Sequence, residues 1–257
     1  MKKKIKISGS SFLLPKSSSW QSLLDNYKLE FSNYNNWAKD LITSNKNEVL
    51  SIIVFLNDLV NIDELNNPNK KIFNKIISLL NTRLKKTFEP TIFFFTNDIE
   101  ENLIKRIKTS SNLKKYLLNF FNELNKLSKK YSNFYFIDLN VDFGKHGLVN
   151  IFNKRNWYFA HCRISTKGIQ IISNSINSIL KKYSNPSAKV LALDCDNTLW
   201  GGVVGEDGID KLLIGQDGVG SAYKDFQRVC KKLLNEGVIL TLLSKNNEND
   251  VFEVFQL

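Results

Sequence analysis

The sequence predicts an α/β protein built on parallel sheets, in two parts: residues 1–185 and residues 188–257. Three observations predict it. Short continuous apolar runs alternate with longer stretches of helical period, the pattern of buried parallel strands covered by helices. The charge changes sign along the chain. From Val190 onward there are 6 Lys and Arg against 11 Asp and Glu, a net of −5, while the preceding residues hold 30 basic and 14 acidic, a net of +16. Between these regions lies the junction Asn185-Pro186-Ser187, a natural linker.

The elements follow in order. Lys4 to Ser8 reads as a first strand, Trp20 to Tyr27 as a helix, and Tyr34 to Ile42 as a second helix with Trp37, Leu41 and Ile42 on one face. Val49 to Leu56 is apolar throughout and reads as a strand buried on both faces. Ile72, Ile76, Ile77, Leu79, Leu80 and Leu84 recur at helical spacing. Pro90 then opens the strand Thr91 to Thr96. Leu113 to Tyr131 is helical, with Tyr116, Leu117, Phe120, Leu124 and Leu127 on its stripe. Phe134 to Leu139 reads as a strand ending at Asp138, and Thr166 to Tyr183 as a closing helix with a cap at Ser165. After the junction, Lys189 to Leu193 is a strand that runs straight into Asp194. Ala222 to Asn235 is a helix with Phe226, Val229, Leu233 and Leu234 expected in the core, and Gly237 closes it. Val238 to Leu243 is a further strand with Ser244 at its carboxyl end, and Glu248 to Phe255 begins another helix.

Composition excludes several classes. No apolar run approaches the ~20 residues that span a bilayer. The start, Met1-Lys2-Lys3-Lys4-Ile5, leads into a stretch too short and polar for a signal-peptide core, so a cytoplasmic protein is expected. Cys162, Cys195 and Cys230 are odd in number and lack Cys-x-x-Cys spacing, which argues against a disulfide framework or zinc site. The formal charge of +11 comes from Lys rather than Arg, and no nucleic-acid motif accompanies it; no nucleic-acid partner is expected.

Two strands finish in polar clusters: Asp194-Cys195-Asp196-Asn197-Thr198 and Ser244-Lys245-Asn246-Asn247. Ligands of open α/β sheets bind outside the carboxyl ends of strands, so neighbouring strands would aim both clusters into one crevice. The segment Leu193-Asp194-Cys195-Asp196-Asn197-Thr198-Leu199 resembles the first motif of the haloacid dehalogenase-like superfamily. Its continuation, Trp200-Gly201-Gly202-Val203-Val204-Gly205-Glu206-Asp207-Gly208, is similar to the FkbH-like group, subfamily IIIC of that superfamily. Ser244-Lys245-Asn246-Asn247 resembles the group's second motif. The likeness covers about Val190 to Phe255.

The resemblance implies the first half of a Rossmann-like phosphoryl-transfer domain over 188–257. Asp194 would be the nucleophile that takes a phosphoryl group as an acyl-phosphate, and Asp196 the acid and base two positions on. Mg²⁺ would be held by the Asp194 carboxylate and the Asp196 backbone carbonyl. Ser244, Lys245, Asn246 and Thr198 would serve the phosphate, Thr198 by tying down the turn. Gly201, Gly202, Gly205 and Gly208 would let the following flap bend close to substrate. Cys195, between two carboxylates, reads as a small strand-end residue and not a nucleophile.

In FkbH-like proteins a domain resembling the SGNH hydrolases precedes this module, and residues 1–185 look like a divergent, flavodoxin-type three-layer copy. Ser8-Gly9-Ser10-Ser11 stands where those hydrolases carry a Gly-Asp-Ser motif. Tyr158 to Gly168 resembles their last block, but counting back from Ser165 puts Ala160 at the Asp position and Arg163 at the His position, with His161 displaced. A triad needs each group in register, so this part is expected to be a non-catalytic binding or docking module.

The superfamily's later Lys and acidic pair would lie beyond Leu257, so a partial module with little turnover of its own is expected. The implied activity is that of a phosphatase or acyl-transfer enzyme. It would load a glyceryl-like unit from a phosphorylated three-carbon donor onto a carrier-protein thiol, with loss of phosphate. Two alternatives stand beside it: an inactive fragment whose basic first domain binds an acyl carrier protein, and an esterase using Ser10 and His161.

Overall fold

The computed structural model describes residues 2–60, 70–96, 111–184, 188–215 and 217–256. The chain divides into two compact units, Met1–Asn185 and Pro186–Leu257. The junction residues 185–187 lie outside the described residues.

The first unit is a parallel sheet of β1 (Lys3–Gly9), β2 (Tyr27–Phe31), β3 (Val49–Phe55), β4 (Thr91–Thr96) and β5 (Phe134–Asp138), in the order β2-β1-β3-β4-β5. Every residue of β3 and β4 is buried, as their uniform apolarity predicts. Successive side chains of a strand point to opposite faces, and β3 divides accordingly. Leu50, Ile52 and Val54 enter one layer with the helices Trp37–Thr43, Lys70–Leu84 and Ser111–Lys130; Val49, Ile53 and Phe55 enter the other with Trp20, Phe143 and the helix Thr166–Ser184. This is the three-layer α/β architecture expected. Ser165 caps the last of these helices, its Oγ lying 3.4 Å from the Gly168 amide.

One element differs from expectation. The helix read over Trp20 to Tyr27 stops at Leu24, and Tyr27–Phe31 is instead edge strand β2. Trp20, Leu23 and Tyr27 fit a helical period, but Tyr27-Lys28-Leu29-Glu30-Phe31 also alternates as a half-exposed strand does, and pairing with β1 decides between them. The edge carries charge, with Lys4 and Glu30 paired at 2.5 Å, which discourages a further strand from adding there. Behind β1, Asp40 of the helix Trp37–Thr43 accepts from Ser8 Oγ at 2.6 Å and pairs with Lys6 at 3.0 Å. Burial pushes its carboxyl up, but hydrogen bonds from Ser32, Ser8 and Lys6 outweigh burial and hold it below the ordinary value.

The second unit has β6 (Val190–Leu193) and β7 (Ile239–Leu242), paired in parallel with Leu193 opposite Leu242. Leu193, Cys195, Leu199, Trp200, Val204, Cys230, Val251 and Val254 form its core. The helix Gly218–Asn235 ends as predicted at Gly237 (φ +92°), whose amide bonds Leu234 while that of Val238 bonds Leu233, the pair of bonds of a Schellman turn. Its apolar face is a correction. Phe226, Val229 and Leu234 are exposed, Val229 at 54%, Leu233 is half-buried, and Cys230, outside the stripe read from the sequence, is buried. Two short strands are too narrow to cover that stripe.

Candidate functional site

The parallel pairing of β6 and β7 brings both polar clusters to one end of the sheet. The Leu243 amide bonds the Leu193 carbonyl at 2.8 Å, so Asp194 and Ser244 leave the two strands side by side. After Asp194 the chain turns sharply: the Thr198 and Leu199 amides both bond the Cys195 carbonyl, at 3.2 and 2.8 Å. Asn197 sits in the left-handed region (φ +54°), which Asn tolerates better than most residues. Its Oδ1 accepts from the Gly202 amide at 3.0 Å.

Two of the four flap glycines are required for different reasons. Gly202 has φ +100°. A Cβ on Gly201 would lie 2.8 Å from the Tyr223 ring and 3.0 Å from Leu213, to which Gly201 is bridged. From the other side, Gln227 Nε2 donates to the Leu199 carbonyl at 2.7 Å.

Asp194 is exposed, and its Oδ1 accepts from the Cys195 amide at 2.9 Å. Asp196 is half-buried and well supplied with donors. Its Oδ1 accepts from Trp200 Nε1 at 2.9 Å and the Val204 amide at 3.2 Å; its Oδ2 accepts from Asn246 Nδ2 at 2.6 Å. Asn246 in turn accepts the Ser244 hydroxyl at its Oδ1. Both ends of the Asn246 amide are thus engaged, by Asp196 and Ser244. Lys245 is exposed, and Thr198 is half-buried within the turn. Burial pushes the Cys195 thiol up; the Asp194 and Asp196 charges add to this and a hydrogen bond with Ser244 opposes it, so Cys195 is held as a neutral thiol.

The donor set suits a hard cation. Among the described residues no three His, Cys, Asp or Glu side chains converge. Mg²⁺ normally keeps several waters and takes only one or two carboxylates plus substrate phosphate. The open Asp194 carboxylate would hold it. Asp196, whose side chain accepts three N–H bonds, would contribute through its backbone carbonyl, as the resemblance implies.

The first unit has its own polar cluster at the carboxyl ends of β1 and β3, where the strand order reverses. Asp58 is its hub. Its Oδ2 accepts from Ser10 and Ser11 at 2.7 and 2.8 Å, and its Oδ1 accepts from Arg163 Nε at 2.7 Å and pairs with the same guanidinium's terminal nitrogen at 2.6 Å. The Arg163 guanidinium also lies 3.9 Å over the Trp157 ring. Ser10 is buried and accepts from the Phe55 amide at 3.0 Å, while exposed His161 faces Trp157 and Tyr34. A Ser-His relay is not assembled among these groups. Asp58 escaped the sequence reading; its position just past a strand buried on both faces is the signal that marks it.

Fold and site together define a two-part α/β protein with carboxylates at a strand end. No protein-family model matches the chain, and no curated protein does. Among solved structures, the N-terminal part of the protein BF1531 from Bacteroides fragilis, containing a phosphatase domain complexed with Mg, is similar with a TM-score of 0.77. The two are 24% identical over 99% of this chain and 72% of that one, and they share the fold. A catalytic mutant of the acetylxylan esterase Axe2 from Geobacillus stearothermophilus is similar over 68% of this chain and 92% of that one, with 12% identity and a TM-score of 0.41. Among the described residues no helix is long and apolar enough to cross a membrane.

Proposed function

We propose that the second unit carries out Mg²⁺-dependent phosphoryl transfer of the phosphatase type, with Asp194 as nucleophile. The observation that carries this reading is the bond between Asn246 and Asp196, which ties the two strand-end clusters into one constellation beside an open Asp194 carboxylate. The fold shared with a phosphatase-containing, Mg-bound protein supports it.

The steps follow from the residues. An Asp194 carboxylate oxygen attacks phosphorus, and the bond from phosphorus to the leaving oxygen breaks. Asp196 delivers a proton to that oxygen. As a carboxylate it then takes a proton from water, whose oxygen attacks the phosphorus of the acyl-phosphate, freeing phosphate and restoring Asp194. Ser244, Lys245 and Thr198 stand at the same sheet end, where phosphoryl oxygens would lie. Bound Mg²⁺ would neutralise the charge gathered between the carboxylates and the phosphate.

The finer form of the reading takes a phosphorylated three-carbon donor as substrate and a carrier-protein thiol as acceptor of its glyceryl-like unit. Phosphate release from a generic phosphomonoester and from a phosphoglycerate-type donor, with and without Mg²⁺, tests the coarser claim. Release that is slow but requires Mg²⁺ is expected. A folded protein that releases no phosphate, or releases it equally in excess chelator, would contradict it.

A further inference from the structure

Trp200 follows the catalytic turn and is 1% exposed. An indole N–H can only donate, and when buried it needs an acceptor. Here the acceptor is Asp196 Oδ1, at 2.9 Å. The ring is held independently of that bond, edge-on to Phe255 at 6.0 Å and within the core of the unit. The Val204 amide reaches the same oxygen at 3.2 Å. A carboxylate oxygen has two lone pairs, and Oδ1 has both engaged. Oδ2 receives Asn246 alone among the described donors and keeps one lone pair open.

We propose that Trp200 is a positioning residue for the reaction at Asp194: with the Val204 amide it occupies Oδ1 of Asp196, fixes the carboxylate plane, and leaves Oδ2 as the oxygen that passes the proton. This rests on the reading given under Proposed function. The terminal torsion of Asp is broad and roughly two-fold, so without the indole the carboxylate, held only by the Val204 amide and Asn246, rotates more freely and its aim loosens. Proton delivery matters most when the leaving oxygen is a poor leaving group. A positioning role therefore predicts a loss that depends on the leaving group, and a merely structural role does not.

The test is Trp200→Phe, which keeps an aromatic ring against Phe255 and removes the N–H. Phosphate release is measured from an alkyl phosphomonoester and from p-nitrophenyl phosphate. With the alkyl ester kcat/KM, which reports transfer to Asp194 and not the hydrolysis step common to both esters, should fall about tenfold, and with the nitrophenyl ester less than about twofold. Equal losses on both esters, or none on either, overturn the inference while leaving phosphoryl transfer in place. A wild-type chain without turnover on either ester removes the reading under Proposed function and this inference with it. Should the variant not fold, the indole N–H resonances of wild type and Asp196→Asn are compared. Movement of a single indole signal supports the bond, and no movement overturns it.

Discussion

Replacing Asp194 with Asn is expected to abolish phosphate release while leaving the fold intact. Asp194 is exposed and outside the packed cluster of its unit, and among the described residues its carboxylate accepts from the adjacent Cys195 amide. An Asn side chain presents an oxygen to the same amide, so little stability should change. The carboxylate that attacks phosphorus is gone, however, and an amide is a far poorer nucleophile. Loss of a nucleophile of this kind costs about 10³-fold or more in kcat. Initial rates of phosphate release with Mg²⁺, alongside a thermal melt, check both halves. A variant that keeps more than about a tenth of wild-type turnover would place the chemistry elsewhere.

Replacing Asp58 with Ala should destabilise the first unit by about 3–5 kcal/mol. Asp58 and Arg163 are both largely buried, with side-chain exposures of 6% and 17%. Removing the carboxylate leaves a guanidinium beside Trp157 without its counter-charge, and leaves the buried Ser10 and Ser11 hydroxyls without their acceptor. The second change Arg163→Met should recover part of the loss, because it removes the stranded charge. Urea unfolding of the wild type and the two variants measures this. A loss below about 1 kcal/mol in Asp58→Ala would show the cluster to be solvated and slack.

How much could be read from the chain depended on how local the cause was. Val49–Phe55 and Thr91–Thr96 were legible as strands because burial on both faces demands an unbroken apolar run. Gly237 was legible because a left-handed helix end selects glycine. β2 was not, because five residues fit two periods and only pairing with β1 chooses. In the first unit, the Arg163 contact with Asp58 joins residues far apart in sequence, and no local pattern announces it. In the second, the strand-end clusters stood out as polar breaks after apolar runs. Which way Asn246 turns its amide was not legible, since that depends on Asp196 lying across from it. Phe226, Val229 and Leu234 were read as core from their period, but a periodic stripe reports what a helix can bury, and the sheet present decides what it does bury.

The central claim, that Asp194 carries the phosphoryl group, is tested most directly by trapping it. An aspartyl-phosphate is an acyl-phosphate, and borohydride reduces it to homoserine. The protein is incubated with Mg²⁺ and a phosphomonoester, quenched, reduced and mapped by peptide mass spectrometry. Homoserine at position 194, absent when substrate is withheld, is the predicted result. Turnover accompanied by an unmodified Asp194, or by reduction at another carboxylate, would contradict the account.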